Sequence, residues 1–223
     1  MGIKIGIIAE GKADQVVLRN ILYAFDFDKK DIRLLRPELD EDLNDAINKT
    51  ASTEREFGSW TNVQDDCKSR IPFVDFFDNP LAEQKFIIVH LDTDTCAEYG
   101  VAEFFNPKTT TDFTVFRQRV IDKINEWLDN QYIEHLLYAI CIRQTDAWIL
   151  TLFAKQGDKD TAKISNPKRE LQNKEDYKNL NGRNATVKYD LLSEKFSNKK
   201  KLKNALSYNQ SLADFVNSIL TIL

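Results

Sequence analysis

Three carboxylates close two short apolar runs and could hold a divalent cation, with a fourth acid further along the chain. Glu10 ends the stretch Ile3-Lys4-Ile5-Gly6-Ile7-Ile8-Ala9-Glu10-Gly11-Lys12-Ala13-Asp14. Asp92 and Asp94 end Lys85-Phe86-Ile87-Ile88-Val89-His90-Leu91-Asp92-Thr93-Asp94. Carboxylates that converge repel one another and need a cation to remain ionised together. Oxygen ligands of this kind suit Mg2+ or Mn2+, and such ions serve phosphoryl chemistry. Glu10 fits a general base or a metal ligand, with Gly11 allowing close backbone approach. Asp92 and Asp94 stand two apart, so extended backbone turns both to one side. Taken singly, each of these acids also fits a turn or a helix cap.

Each acidic stretch reads as a buried strand delivering its acids to the tip of a sheet, where ligands bind in open α/β folds. Strands are expected at residues 3–9, 32–35, 85–91 and 136–142. Helices are expected at 14–25, with Asp14 suited to the cap, at 60–77 with an interruption at Pro72, and at 112–130. Residues 37–58 suggest a loop with a loose helix, and 95–111 a loop. Asp146 opens an apolar helix through Phe153, and beyond Gln156 only helix and loop follow, ending in a helix over 212–223. Strands alternating with helices imply an α/β fold with a mostly parallel sheet flanked by helices. We expect a core over residues 1–155 and a basic, helical C-terminal extension over 156–223 packed on it.

The composition, 42% hydrophobic and 30% charged over 223 residues, is that of a globular chain able to bury a core. No apolar run reaches the roughly 20 residues of a membrane span, and the short N-terminal apolar stretch does not read as a signal peptide. Cys67, Cys96 and Cys141 lack metal-ligand spacing and fit free thiols in a reducing cytoplasm. The net charge of −4 is unevenly spread. Residues 155–203 hold 14 Lys or Arg against 7 Asp or Glu, whereas the remainder holds 17 against 28. Such a basic segment, with Lys188, Lys199, Lys200, Lys201 and Lys203, could steer a phosphate backbone, or it could be a solvated helical surface.

Glu10-Gly11-Lys12-Ala13-Asp14 after one strand and Asp92-Thr93-Asp94 after another resemble the signature of a Toprim domain, the family of topoisomerases, bacterial primases and the overcoming-lysogenisation-defect nucleases. The resemblance implies a Rossmann-like fold with a four-stranded parallel sheet, whose glutamate and DxD pair hold magnesium to make or break phosphodiester bonds. Cys141-Ile142-Arg143-Gln144-Thr145-Asp146-Ala147-Trp148, Asn166-Pro167-Lys168 and the pair Ser211 and Phe215 are similar to motifs of small stand-alone bacterial Toprim-like proteins. Some of those accompany ATPases in phage-defence operons. An acid before Ala-Trp is usually glutamate there; Asp146 is one methylene shorter, and fits a fourth ligand, a supporting acid or an N-cap equally well. No topoisomerase tyrosine domain is present, which argues against strand passage.

The leading expectation is therefore a metal-dependent nuclease acting on DNA or RNA, with Glu10, Asp92 and Asp94 as metal ligands, Glu10 as general base and Asp146 as an auxiliary. Lys12 is a candidate phosphate contact. Nucleotidyl transfer and a non-catalytic scaffold binding a partner ATPase or nucleic acid are the rival readings, and the oligomeric state stays open. A phosphoacceptor receiver would place an acidic pair after the first strand, where this chain has Glu10-Gly11. His90 reads as a packed histidine, Cys96 as a silent thiol near the acids, Trp148 as core, and Trp60 as core or a base-stacking platform.

Overall fold

Residues 2–37, 59–78, 84–102 and 112–223 are described by a computed structural model. Four strands form one sheet: β1 (Ile3–Ile8), β2 (Ile32–Arg36), β3 (Gln84–Asp92) and β4 (Leu136–Cys141). Their order is β2-β1-β3-β4 and every neighbouring pair is parallel, so the sheet is all-parallel rather than mostly so. Residues 5–8 and 87–91 are buried on both faces, which is why they read as near-continuous apolar runs.

Parallel strands need crossovers, and the helices divide by face. The chain passes from β1 to β2 through α1 (Lys12–Tyr23). It then crosses back through α2 (Trp60–Ser69) and α3 (Ile71–Phe77) to β3, and through α4 (Thr114–Trp127) to β4. Ile5, Ile7, Ile88, Leu137 and Cys141 share one core with α1, while Ile87, Val89, Leu91 and Ile140 share the other with α2, α3 and α4. The chain leaves β1 towards one edge and later resumes at β3 towards the other. The carboxyl ends of β1 and β3 thus form the switch point where open α/β sheets bind ligands.

The C-terminal region is helical: α5 (Thr145–Leu150), α6 (Pro167–Gln172), α7 (Glu175–Lys178), α8 (Ala185–Ser193), α9 (Lys199–Leu206) and α10 (Gln210–Leu220). Phe196, Leu202, Leu212 and Phe215 lie in the same core as β1 and α1. Polar ties reinforce this contact: Asn20 Nδ2 donates to Ser193 Oγ at 2.8 Å, and Arg19 pairs with Asp190 at 2.9 Å. Trp148 is fully buried, stacks on Phe215 with ring centroids 5.5 Å apart, and donates Nε1–H to Ser211 Oγ at 2.9 Å. Ser211 and Phe215 therefore hold the indole in place.

Several boundaries differ from expectation for local reasons. α1 begins at Lys12, so Asp14 sits in the first turn and makes no capping bond; Gly11 is the N-cap residue. The break in the 60–77 helix falls at Arg70, in left-handed conformation (φ 60°), and Pro72 occupies the first turn of α3, where a missing N–H is harmless. α4 stops at Trp127, before Asp129 and Asn130, both at positive φ. The loose helix expected within 37–58 falls almost wholly outside the described residues, as does most of the loop at 95–111.

Candidate metal centre

Strand register brings the acids together. Glu10 follows β1 and Asp92 ends β3, and Glu10 Oε1 accepts the Asp92 backbone N–H at 2.6 Å, tying the two strand ends. Asp92 Oδ1 accepts the Thr145 N–H at 3.0 Å and the Thr145 hydroxyl at 3.3 Å. The turn between β4 and α5 grips the rest of the Asp-Thr-Asp segment. The Arg143 carbonyl accepts Thr93 N–H at 2.9 Å and Asp94 N–H at 3.1 Å, while Thr93 Oγ1 accepts Arg143 N–H at 2.8 Å. Arg143 takes a left-handed φ of 75° at this point. Gln144 Nε2 donates to Asp94 Oδ2 at 2.7 Å.

Asp146 does not cap α5. Gln144 is the N-cap residue, and Asp146 Oδ1 instead accepts the Tyr189 hydroxyl proton at 2.6 Å, which links α8 to the centre. Asp14 joins from the first turn of α1. A Cβ on Gly11 would come within 3.2 Å of Asp14 Oδ2, so glycine leaves room for that carboxylate.

The electrostatics of the group follow from burial and crowding. Burial, then the Asp92 charge, pushes Glu10 up to about 8. Asp92 is held well above the usual carboxylate range by burial and then by Asp14, Asp94 and Asp146. Asp94 is raised by burial although Gln144 opposes the shift, and Asp146 is raised by burial although Tyr189 opposes it. Lys168, from the Asn166-Pro167-Lys168 stretch, is the cation whose field lowers both Asp94 and Asp146. Without a cation these carboxyls favour protonation; a divalent ion would let them ionise together. Carboxylate oxygens are the ligand type that Mg2+ or Mn2+ takes, but among the described residues the group whose ligand atoms lie within 4.8 Å of one another is His90, Asp92 and Cys141, not Glu10, Asp92 and Asp94.

Beneath the acids lies a second, drier cluster. His90 is fully buried, as a packed strand residue should be, yet it shares the Asp92 side of β3. Its Nε2 lies 2.9 Å from Thr145 Oγ1, 3.4 Å from Asp92 Oδ1 and 3.4 Å from Cys141 Sγ. Cys141 is the register partner of Asp92 on β4, and burial pushes its thiol up. Spacing in the sequence pairs His90 with Asp92, but Cys141, Thr145 and Asp14 enter only through strand register and helix placement.

The predicted basic contacts divide. Lys12 opens α1 beside Glu10. Lys188 on α8 lies over the Tyr177 ring, 4.7 Å from its centroid, one residue before Tyr189. Lys199 pairs with Asp26 at 2.6 Å, past the C-terminal end of α1. That end is about 18 Å along the helix from Lys12 at 1.5 Å per residue. Exposed Lys200 and Lys201 neighbour Lys199, so this cluster does not border the acids. Cys96 is buried in the other core, and Trp60 donates Nε1–H to Glu98 at 3.1 Å against Tyr99. Among the described residues no helix is long and apolar enough to cross a membrane. Compared with protein families, with curated proteins and with solved structures, the chain matches none.

Proposed function

We propose that the chain is a divalent-metal-dependent nuclease that hydrolyses phosphodiester bonds in DNA or RNA. The observation that carries this reading is the grouping of Glu10, Asp14, Asp92, Asp94 and Asp146 at the β1–β3 switch point: Asp92 is raised by burial and by Asp14, Asp94 and Asp146, Asp146 by burial and Asp14, and Asp94 by burial. Mg2+ or Mn2+ held there would supply water activation and charge stabilisation at the scissile phosphate. Glu10, held by the Asp92 N–H, would serve as the general base. Asp92 is oriented by two bonds from Thr145, Asp94 by Gln144, and Asp146 by Tyr189. Tyr189 and Thr145 act as positioning residues. Lys12 and Lys168 offer positive charge to a phosphate entering beside the acids.

The reading is tested by incubating the chain with supercoiled plasmid, single-stranded DNA and RNA in Mg2+ or Mn2+. Wild type is expected to cleave at least one of them, with Glu10→Gln and Asp92→Asn lowering the rate by about 100-fold or more. No cleavage of any substrate, or cleavage retained in both variants, would overturn it and favour a binding scaffold.

A further inference from the structure

We propose a second cation site, buried directly beneath the acidic centre, in which His90, Cys141 and Asp92 ligate one zinc-type ion. The donor atoms are placed for it. Nε2 of His90 stands 3.4 Å from both Cys141 Sγ and Asp92 Oδ1, and the three ligand atoms all lie within 4.8 Å of one another. Metal–ligand lengths of about 2.0–2.3 Å set tetrahedral edges at about 3.3–3.6 Å, so the two short edges already match.

Thr145 Oγ1 forms the fourth corner, at 2.9 Å from His90, 3.3 Å from Asp92 and 3.7 Å from Cys141. An ion at the centre would take three side-chain donors and close its fourth position with this hydroxyl. Thr145 is tied to the same carboxylate, because its own N–H donates to Asp92 Oδ1. The polar contacts of the His90 ring run through Nε2, and Nδ1 has no hydrogen-bond partner among the described residues.

Chemistry selects the ion. A thiolate, an imidazole and a carboxylate suit Zn2+, whereas Mg2+ demands near-octahedral oxygen ligands. Charge favours occupancy too: Zn2+ with neutral His90, the Cys141 thiolate and the Asp92 carboxylate sums to zero, as a buried ion site requires. On binding, the Cys141 S–H bond gives way to a metal–sulfur bond and the Asp92 carboxyl ionises to a metal–oxygen bond, both protons passing to solvent. Asp92 would present Oδ1 inward and keep Oδ2 for the acids above. The site does not depend on the nuclease reading.

The test is a Co2+ titration of the full-length chain after chelator treatment, with zinc-edge X-ray absorption on the zinc-loaded protein. The expected result is a thiolate-to-metal charge-transfer band that saturates at one equivalent of cobalt, absent in Cys141→Ser and kept in Cys96→Ser and Cys67→Ser. Zinc-loaded wild type should show one sulfur at about 2.3 Å with nitrogen and oxygen at about 2.0 Å. This second measurement stands even if Cys141→Ser fails to fold. Oxygen-only coordination, no charge-transfer band in wild type, or a band that survives Cys141→Ser would overturn the site. A chain that cleaves nucleic acid yet shows any of those results loses the zinc site and keeps the nuclease reading.

Discussion

Glu10 carries the most legible electrostatic consequence of the centre. Unfolded, its carboxyl loses a proton near 4.5; folded without metal, it does so near 8. Between those values the folded chain binds more protons than the unfolded one, so metal-free stability falls as pH rises through that window. Glu10→Gln removes the dependence. At pH 8 the metal-free variant should be more stable than wild type by on the order of 4 kcal/mol, and at pH 4.5 by almost nothing. Chemical denaturation of both proteins in chelator at the two pH values checks this, and equal differences would contradict it. Saturating Mn2+ should reverse the order, because only wild type then gains the full ligand set.

At the scale of elements, the turn between β4 and α5 matters as much as the acids. It supplies Arg143 O, Gln144 and Thr145 to the Asp-Thr-Asp segment, and α5 then buries Trp148 beneath it. Ser211→Ala would leave the Trp148 Nε1–H buried without its acceptor, at a cost of about 1–3 kcal/mol. In a double-mutant cycle read in denaturant, Ser211→Ala should cost less in a Trp148→Phe background than in wild type, since the indole donor is then absent. The strands and the acids that close them were legible because doubly buried strands read as apolar runs and the acids interrupt them abruptly. His90 was legible as buried but not as a neighbour of Cys141, because β3–β4 register is a long-range property. Asp14 was misplaced for a local reason: cap-type residues also populate the first helical turn, and Gly11 took the cap. Pro72 was read as a breaker when its position suits a helix start. The role of Lys168 depends on how α6 docks, which no spacing encodes.

Over the whole molecule, the helical C-terminal region is expected to be inseparable from the sheet. Phe196, Leu212 and Phe215 share a core with Ile5, Val17 and Trp148, and Tyr189 reaches into the acidic centre from α8. A chain ending at residue 155 should therefore lose cooperative thermal unfolding, read by circular dichroism; a sharp melt in that fragment would contradict the shared core. Charge at this scale separates into two regions. Lys199, Lys200 and Lys201 lie at the far end of α1, so reversing all three to Glu should change the salt dependence of nucleic-acid binding by less than one phosphate contact. Lys168→Glu, beside Asp94 and Asp146, should weaken binding and metal-dependent cleavage together.

Calorimetric titration of Mn2+ and Mg2+ into the full chain at pH 8, with Glu10→Gln and Asp92→Asn beside it, bears most directly on the central claim. The acidic centre predicts saturable binding by wild type with proton release, seen as a heat that depends on the buffer, and marked weakening in both variants. Wild type that takes up neither ion, or variants that bind as well as wild type, would contradict a divalent-cation site at Glu10, Asp92 and Asp94.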